Sequence, residues 1–98
     1  MSVYELSPEA RDDLQEIWMW IAQDNPGAAD KLEADIYAAC EQLAQNPHLG
    51  HKRPDLTDEP VLFWIVRKQY LVVYVPDKTS LKIVRILHSA RDASAELR

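Results

Sequence analysis

Apolar residues in the first half of the chain recur at the spacing of one helical face. Ser7 and Pro8 supply an N-cap and a first helical position, and Asn25 and Pro26 repeat that pair further on. The second pair also ends the first helix, because proline disfavours helical geometry in the residue before it. Two amphipathic helices with almost no linker predict an αα-hairpin, which extends to Asn46 and Pro47. The apolar stripes are Ala10, Leu14, Ile17, Trp18 and Ile21 in the first helix, and Ala28, Ala29, Leu32, Ile36, Ala39, Cys40 and Leu43 in the second.

The second half of the chain changes to runs of β-branched and aromatic residues, which are typical of strands. The turn between the last two runs contains Pro76 and Asp77, both common in turns. Residues 67–69 leave room only for a tight hairpin, without the Asn-Gly or Gly that favours a type I′ turn. The predicted strands are residues 3–6, 61–66, 70–75 and 81–88, with a loop at residues 47–60 and a polar tail at residues 88–92.

The predicted element order is β-α-α-β-β-β. It describes an α+β fold in which a helical hairpin packs on a mostly antiparallel four-stranded sheet. The 98 residues form one domain, residues 1–98, with one modest core. No apolar run approaches the roughly 18 residues of a membrane span and no signal pattern opens the chain, so we expect a cytoplasmic protein.

The net charge of −5 is unevenly distributed. Residues 1–46 carry 10 acidic and 2 basic side chains, a balance of −8, whereas residues 47–98 carry 6 and 9, a balance of +3. A surface that faces nucleic acid would therefore lie on the sheet half. The alternative is that the charged helices simply have solvated outer faces.

Six short segments stand out by their order and spacing. They are residues 6–14 (LSPEARDDL), 24–26 (DNP), 46–47 (NP), 49–56 (LGHKRPDL), 70–74 (YLVVY) and 85–92 (RILHSARD). Together they resemble the RelE/ParE superfamily of toxins from bacterial type II toxin–antitoxin modules, and the ParE branch most closely. The resemblance covers nearly the whole chain.

The resemblance implies a growth-inhibiting toxin that is neutralised by a ParD-like or similar antitoxin encoded beside it. Toxins of this kind also serve in plasmid stabilization. ParE-like toxins bind DNA gyrase and stabilise its cleaved-DNA state, whereas RelE-like toxins cleave mRNA on the ribosome. The RelE branch often has an aromatic residue near the C-terminus, but no Tyr or Phe follows Tyr74 here. That departure and the acidic net charge favour the gyrase function. A third possibility is a partner that acts chiefly as antitoxin co-repressor. The resemblance also implies a toxin–antitoxin hetero-oligomer, with a homodimer as an option.

Four arginines are predicted to bind the target: Arg53, Arg67, Arg85 and Arg91. The alternative for Arg53 is an ion pair with Asp55 or with a helix, and for Arg85 an ion pair with an acidic helix residue. In the ribonuclease alternative, His88 is the general base or acid, and Arg85 and Arg91 stabilise the phosphorane charge.

The segment Trp18, Met19 and Trp20 is predicted to bind the antitoxin or a second toxin copy. Met19 points away from the apolar stripe and Trp20 lies at its edge, and an exposed Met beside a Trp is typical of a partner surface. The alternative is a Trp that lies flat over the edge of the core beside a singly exposed Met.

We expect neither a metal nor a cofactor. His48 and His51 lie near Asp55, but their spacing is loose for a metal site. Cys40 lies on an apolar stripe and is predicted to be a buried small hydrophobe. Two glycines cannot build a phosphate-binding loop.

Overall fold

The elements follow the predicted order, with one helix added after the last strand. The structure is a computed structural model that describes residues 3–77, 79–88 and 90–97, including all of their side chains except those of residues 90, 91 and 94. Its elements are β1 (Tyr4–Leu6), α1 (Pro8–Ala22), α2 (Pro26–Gln45), β2 (Leu62–Val66), β3 (Tyr70–Pro76), β4 (Leu81–Leu87) and α3 (Ala90–Leu97).

Both long helices begin at the predicted caps. The Oγ of Ser7 accepts a hydrogen bond from the Ala10 amide at 3.0 Å, and the Oδ1 of Asn25 accepts one from the Ala28 amide at 3.0 Å. Pro8 and Pro26 follow these caps, where the missing amide hydrogen leaves no intrahelical bond unmade. These four residues therefore determine where the two helices of the hairpin begin.

The sheet has the strand order β1-β4-β3-β2. β2 pairs with β3 and β3 with β4 in antiparallel register, while β1 runs parallel to β4. This confirms the α+β fold with a helical hairpin on a mostly antiparallel four-stranded sheet. The core between helices and sheet contains Leu32, Ile36, Val72, Tyr74 and Ile83, each at most 2% exposed.

The predicted polar tail is wrong, because α3 occupies most of that stretch. Ala93 of α3 is fully buried, and Leu97 packs at the edge of the same apolar cluster. The cluster lies on the sheet face opposite the helical hairpin, and its buried members are Leu56, Val61, Phe63, Leu71, Val73, Leu87 and Ala93. The sheet is thus covered on both faces.

β4 contains a β-bulge next to α1. Between the pairs Tyr74 with Ile83 and Val73 with Arg85, β4 advances by two residues while β3 advances by one. Such an insertion disrupts the ladder and redirects a side chain. Here Val84 is the extra residue, and the Arg85 side chain turns toward α1.

The loop before β2 is anchored by Tyr74. Its hydroxyl donates to the Pro47 carbonyl at 2.7 Å and accepts from the Gly50 amide at 2.8 Å. A Cβ at Gly50 would collide with the Tyr74 hydroxyl and approach the Phe63 carbonyl to 2.9 Å. Two backbone hydrogen bonds between His51 and Phe63 then lay the loop along β2.

The β2–β3 hairpin turns through two residues in the left-handed region. Arg67 has a φ of 54° and Lys68 a φ of 62°. Positive φ at both central residues is what a type I′ turn requires, although the sequence lacks the residues that favour it. None of the three helices in the described part of the chain has the length and apolar character needed to cross a membrane.

Candidate partner-binding site

An apolar hollow lies between the C-terminal half of α1 and one end of the sheet. It has a volume of about 570 Å³. Trp20 is 75% exposed and Met19 is 54% exposed at its rim, as their positions beside the apolar stripe predict. The hollow is lined by Glu16, Ile17, Met19, Trp20, Ile21, Gln23, Tyr70 and His88.

The sheet contributes two rings to this hollow. β3 begins at Tyr70 and β4 ends at Leu87, and because the two strands are antiparallel, Tyr70 lies beside His88. Their ring centroids are 5.0 Å apart with planes tilted by 33°. No local pattern in the sequence predicts that His88 and Trp20 line the same hollow, since 68 positions separate them.

Trp18 has a different role from its two neighbours. Its indole Nε1 donates to the Oδ1 of Asp30 at 2.8 Å, so it ties α1 to α2. It lines a separate small hollow with Leu14 and Tyr37. Of the three residues predicted to bind the antitoxin, Met19 and Trp20 face the large hollow and Trp18 does not.

Arg85 is held by two carboxylates. Its Nε and Nη2 donate to the two oxygens of Asp13 at 2.7 and 2.9 Å, and its Nη1 donates to Glu96 at 3.3 Å. The side chains of Arg85 and Asp13 are only 21% and 13% exposed. The hydrogen bonds to Asp13 raise the pKa of Arg85 above its ordinary value, while burial opposes that change. This is the ion pair with a helix carboxylate that the sequence left as an alternative.

Asp13 also completes the bulge in β4. One of its oxygens accepts from the Ile86 amide at 3.0 Å, a donor that has no partner on β1 because that strand ends at Leu6. Ser7 acts similarly, since its Oγ donates to the Val84 carbonyl at 2.7 Å and its amide to the Ile83 carbonyl at 2.9 Å. Ser7 and Asp13 therefore bind the backbone groups of β4 that lie beyond the end of β1.

The other predicted target-binding arginines also contact carboxylates, but at exposed sites. Arg53 makes two hydrogen bonds to Asp55 at 2.9 and 2.8 Å, and Arg67 reaches Asp35 at 2.6 Å. The Arg53 and Arg67 side chains are 36% and 43% exposed. The side chain of Arg91 lies outside the described residues. The three described arginines share no carboxylate.

A second, smaller hollow adjoins the first. It has a volume of about 200 Å³ and lies between α1, the end of β4 and α3. The two hollows share Glu16, Ile17 and His88, so they lie side by side, and together they are named here the α1–β4 groove. The smaller hollow is polar; its charged or titratable residues are Asp13, Glu16, Arg85, His88, Asp92 and Glu96.

Other titratable groups belong to the core or the surface. Burial raises the pKa of the Cys40 thiol to about 12, which fits the predicted role of a buried hydrophobe. Among the residues that the structure describes, no three His, Cys, Asp or Glu side chains gather closely enough to hold a metal ion.

Comparisons with known proteins agree with the fold. A family model described as the ParE toxin of the type II toxin–antitoxin system parDE matches residues 4–93. The curated protein Toxin RelE3 of Caulobacter vibrioides is 33% identical over 89 residues, which are 91% of this chain and 96% of that protein.

The chain also matches solved structures, including the following two. A structure titled as the chromosomal ParDE system from P. aeruginosa superposes with a TM-score of 0.72 at 23% identity, over 91% of this chain and 97% of that one. A conserved hypothetical protein, HP0894, from Helicobacter pylori gives a TM-score of 0.46 at 12% identity, over 90% and 94% of the two chains.

Proposed function

The chain belongs to the ParE toxin family of type II toxin–antitoxin systems, and on that premise we propose that it acts by binding DNA gyrase and not by cleaving RNA. It is a toxin of such a module, and the family implies an antitoxin as its partner. The proposal places the protein in the cytoplasm, where gyrase acts, and in a toxin–antitoxin hetero-oligomer when it is neutralised.

The state of Arg85 carries this proposal. A ribonuclease would use this guanidinium to stabilise the charge on a phosphorane, which requires a preorganised donor aimed at the reacting phosphate. Here Asp13 and Glu96 already occupy Nε, Nη1 and Nη2, and they neutralise the positive charge. His88, the acid or base of that alternative, packs its ring against Tyr70 with the two planes tilted by 33°, a contact that leaves the ring exposed. A toxin that acts by binding does not need a free guanidinium at this position.

Arg53 and Arg67 are the better candidates for target contact. Their ion pairs are exposed, and exposed pairs contribute only about 0–1 kcal/mol, so exchange for a carboxylate or phosphate on a partner costs little. Both lie outside the regular elements, where binding residues are common. Arg85 and Arg91 remain predictions as target contacts, and Arg85 has a structural role in addition.

Met19 and Trp20 are proposed to bind the antitoxin. A large exposed indole beside an apolar hollow is a typical anchor for a helical segment of a partner. Trp18 supports this surface by fixing α1 against α2 through Asp30.

The second candidate function is mRNA cleavage on the ribosome, which the name of the Caulobacter relative favours. A role as antitoxin co-repressor without a cellular target is the third. Neither function requires a different fold, so the three functions have to be separated by assays of gyrase inhibition and of mRNA cleavage.

The test uses the purified toxin, freed of antitoxin, in a gyrase supercoiling reaction with ATP and in a parallel reaction with ribosome-bound mRNA. We expect loss of supercoiling and trapped cleaved DNA, with Arg53→Ala and Arg67→Ala each less potent than the wild type. Lys82→Ala is a matched control, because Lys82 also makes an exposed ion pair, with Glu5 at 3.0 Å. Cut mRNA with an unaffected gyrase reaction would refute the proposal, and no effect on either would favour the co-repressor.

A further inference from the structure

The α1–β4 groove has two adjoining parts of different chemistry. Its large part is apolar and ends at Trp20 and Met19, and its small part is polar and ends at α3. Glu16, on α1, lies at the boundary between the two parts together with His88. A partner segment that fills the groove has to satisfy both parts.

The apolar part requires a large apolar side chain. Trp20 leaves three quarters of its surface in water, and Tyr70 and Ile21 lie deeper in the hollow. Covering an aromatic side chain of this size removes a large apolar area from water and typically provides the dominant anchor of an interface.

The polar part is acidic. Four carboxylates line it, from Asp13, Glu16, Asp92 and Glu96, against the single described guanidinium of Arg85. Arg85 already binds Asp13 and Glu96. Within the described residues, the Glu16 side chain makes neither an ion pair nor a hydrogen bond, so its charge is available to a partner.

The helical wall of the groove has the same sign. α1 carries four acidic side chains against one basic side chain, Arg11. A partner that lies along this wall meets negative charge, which favours association with a cationic segment and disfavours an anionic one.

We infer that the groove binds a cationic amphipathic segment of the antitoxin, with an apolar side chain against Trp20 and a Lys or Arg beside Glu16. The inference rests on the proposed antitoxin partnership and adds the chemistry of the partner's segment. The toxin supplies the negative charge at this interface and the antitoxin the positive charge.

The test measures binding of the antitoxin encoded by the adjoining gene to the full-length toxin by titration calorimetry, at low and at high salt. We expect Glu16→Gln to weaken binding roughly threefold and Glu16→Lys roughly tenfold, with the wild-type affinity falling as salt rises. Trp20→Ser should weaken binding about thirtyfold, with little dependence on salt. Urea unfolding of each variant checks that the toxin remains folded.

Matched controls separate local from general effects. Glu41→Lys makes the same change of net charge on α2 but lies in neither part of the groove, and Ile65→Ser removes an apolar side chain that is 55% exposed on the far edge strand. Both should bind within about twofold of the wild type. Exchanging the contacting antitoxin Lys or Arg for Glu should restore binding to Glu16→Lys.

The outcomes distinguish the inference from the proposed function. If Glu16→Lys binds as well as Glu41→Lys, or if affinity is independent of salt, the inference is overturned while the antitoxin partnership stands. If the wild-type toxin does not bind the antitoxin, both are overturned. The gyrase reaction uses the toxin alone, so its result is independent of this interface.

Discussion

Replacing Asp13 by Ala should destabilise the protein far more than removal of a surface carboxylate. The change leaves the Arg85 guanidinium, 21% exposed, with only the longer bond to Glu96 at 3.3 Å. It also leaves the Ile86 amide without its acceptor. Breaking a buried ion pair costs about 3–5 kcal/mol, and an unsatisfied buried donor about 1–3 kcal/mol. Because Glu96 remains and both side chains keep some contact with water, we expect about 2–4 kcal/mol in total.

The measurement is urea unfolding followed by far-UV circular dichroism, with the free energy of unfolding extrapolated to water. The matched control is Glu5→Ala, which breaks the exposed Lys82 pair and should cost less than about 1 kcal/mol. A double variant, Asp13→Leu with Arg85→Met, should recover part of the loss, because no buried charge is left unpaired. If Asp13→Ala costs no more than Glu5→Ala, then the ion pair does not hold the bulge and the reasoning fails.

Three further predictions use the same unfolding measurement. Gly50→Ala should lower the free energy of unfolding by about 1–3 kcal/mol, because the added methyl group is overpacked against Tyr74. Tyr74→Phe should lower it by about 1–3 kcal/mol, because the Pro47 carbonyl and the Gly50 amide lose their partner. A neutral result for both variants would contradict the anchoring of the loop by Tyr74. The Cys40 pKa of about 12 lies above its ordinary value of 9.0, so the unfolded thiol ionises first and stability should fall above about pH 9, by up to about 1.4 kcal/mol per pH unit. Cys40→Ala should reduce that slope, and an unchanged slope would argue against the buried thiol. Lys68→Gly should stabilise the hairpin by about 0.5 kcal/mol, since relief of the left-handed strain exceeds the added unfolded-state entropy, whereas a net loss would refute the strain.

Local signals in the sequence account for most of the architecture. The caps at Ser7 and Asn25, each followed by proline, place the helix starts correctly, and the β-branched runs place three of the strands within a residue or two. α3 was missed because Ala93 and Leu97 are its main apolar contacts, too few for a recognisable stripe. Its helicity depends on packing against the sheet, which a local pattern does not show.

The site was predicted less completely than the fold. The exposure of Met19 and Trp20 followed from helical periodicity. The companions of those residues in the groove, Tyr70 and His88, come from strand ends that only the sheet topology brings to α1. Whether Arg85 was a free cation or a paired one could not be decided from the sequence, because the answer depends on a bulge and on a carboxylate 72 positions away.

The central place of β4 affects the order in which the nascent chain can fold. The first three elements, β1, α1 and α2, leave the ribosome before β4. In the described structure β1 pairs with β4, and the Ser7 hydroxyl donates to the Val84 carbonyl, which is 77 positions later. Such distant contacts slow folding, and they keep the helical hairpin without its sheet during most of synthesis. The surface around Trp20 lies on that early hairpin, whereas the groove closes only when β4 is made. A partner present during translation therefore meets the helix before it meets the finished toxin.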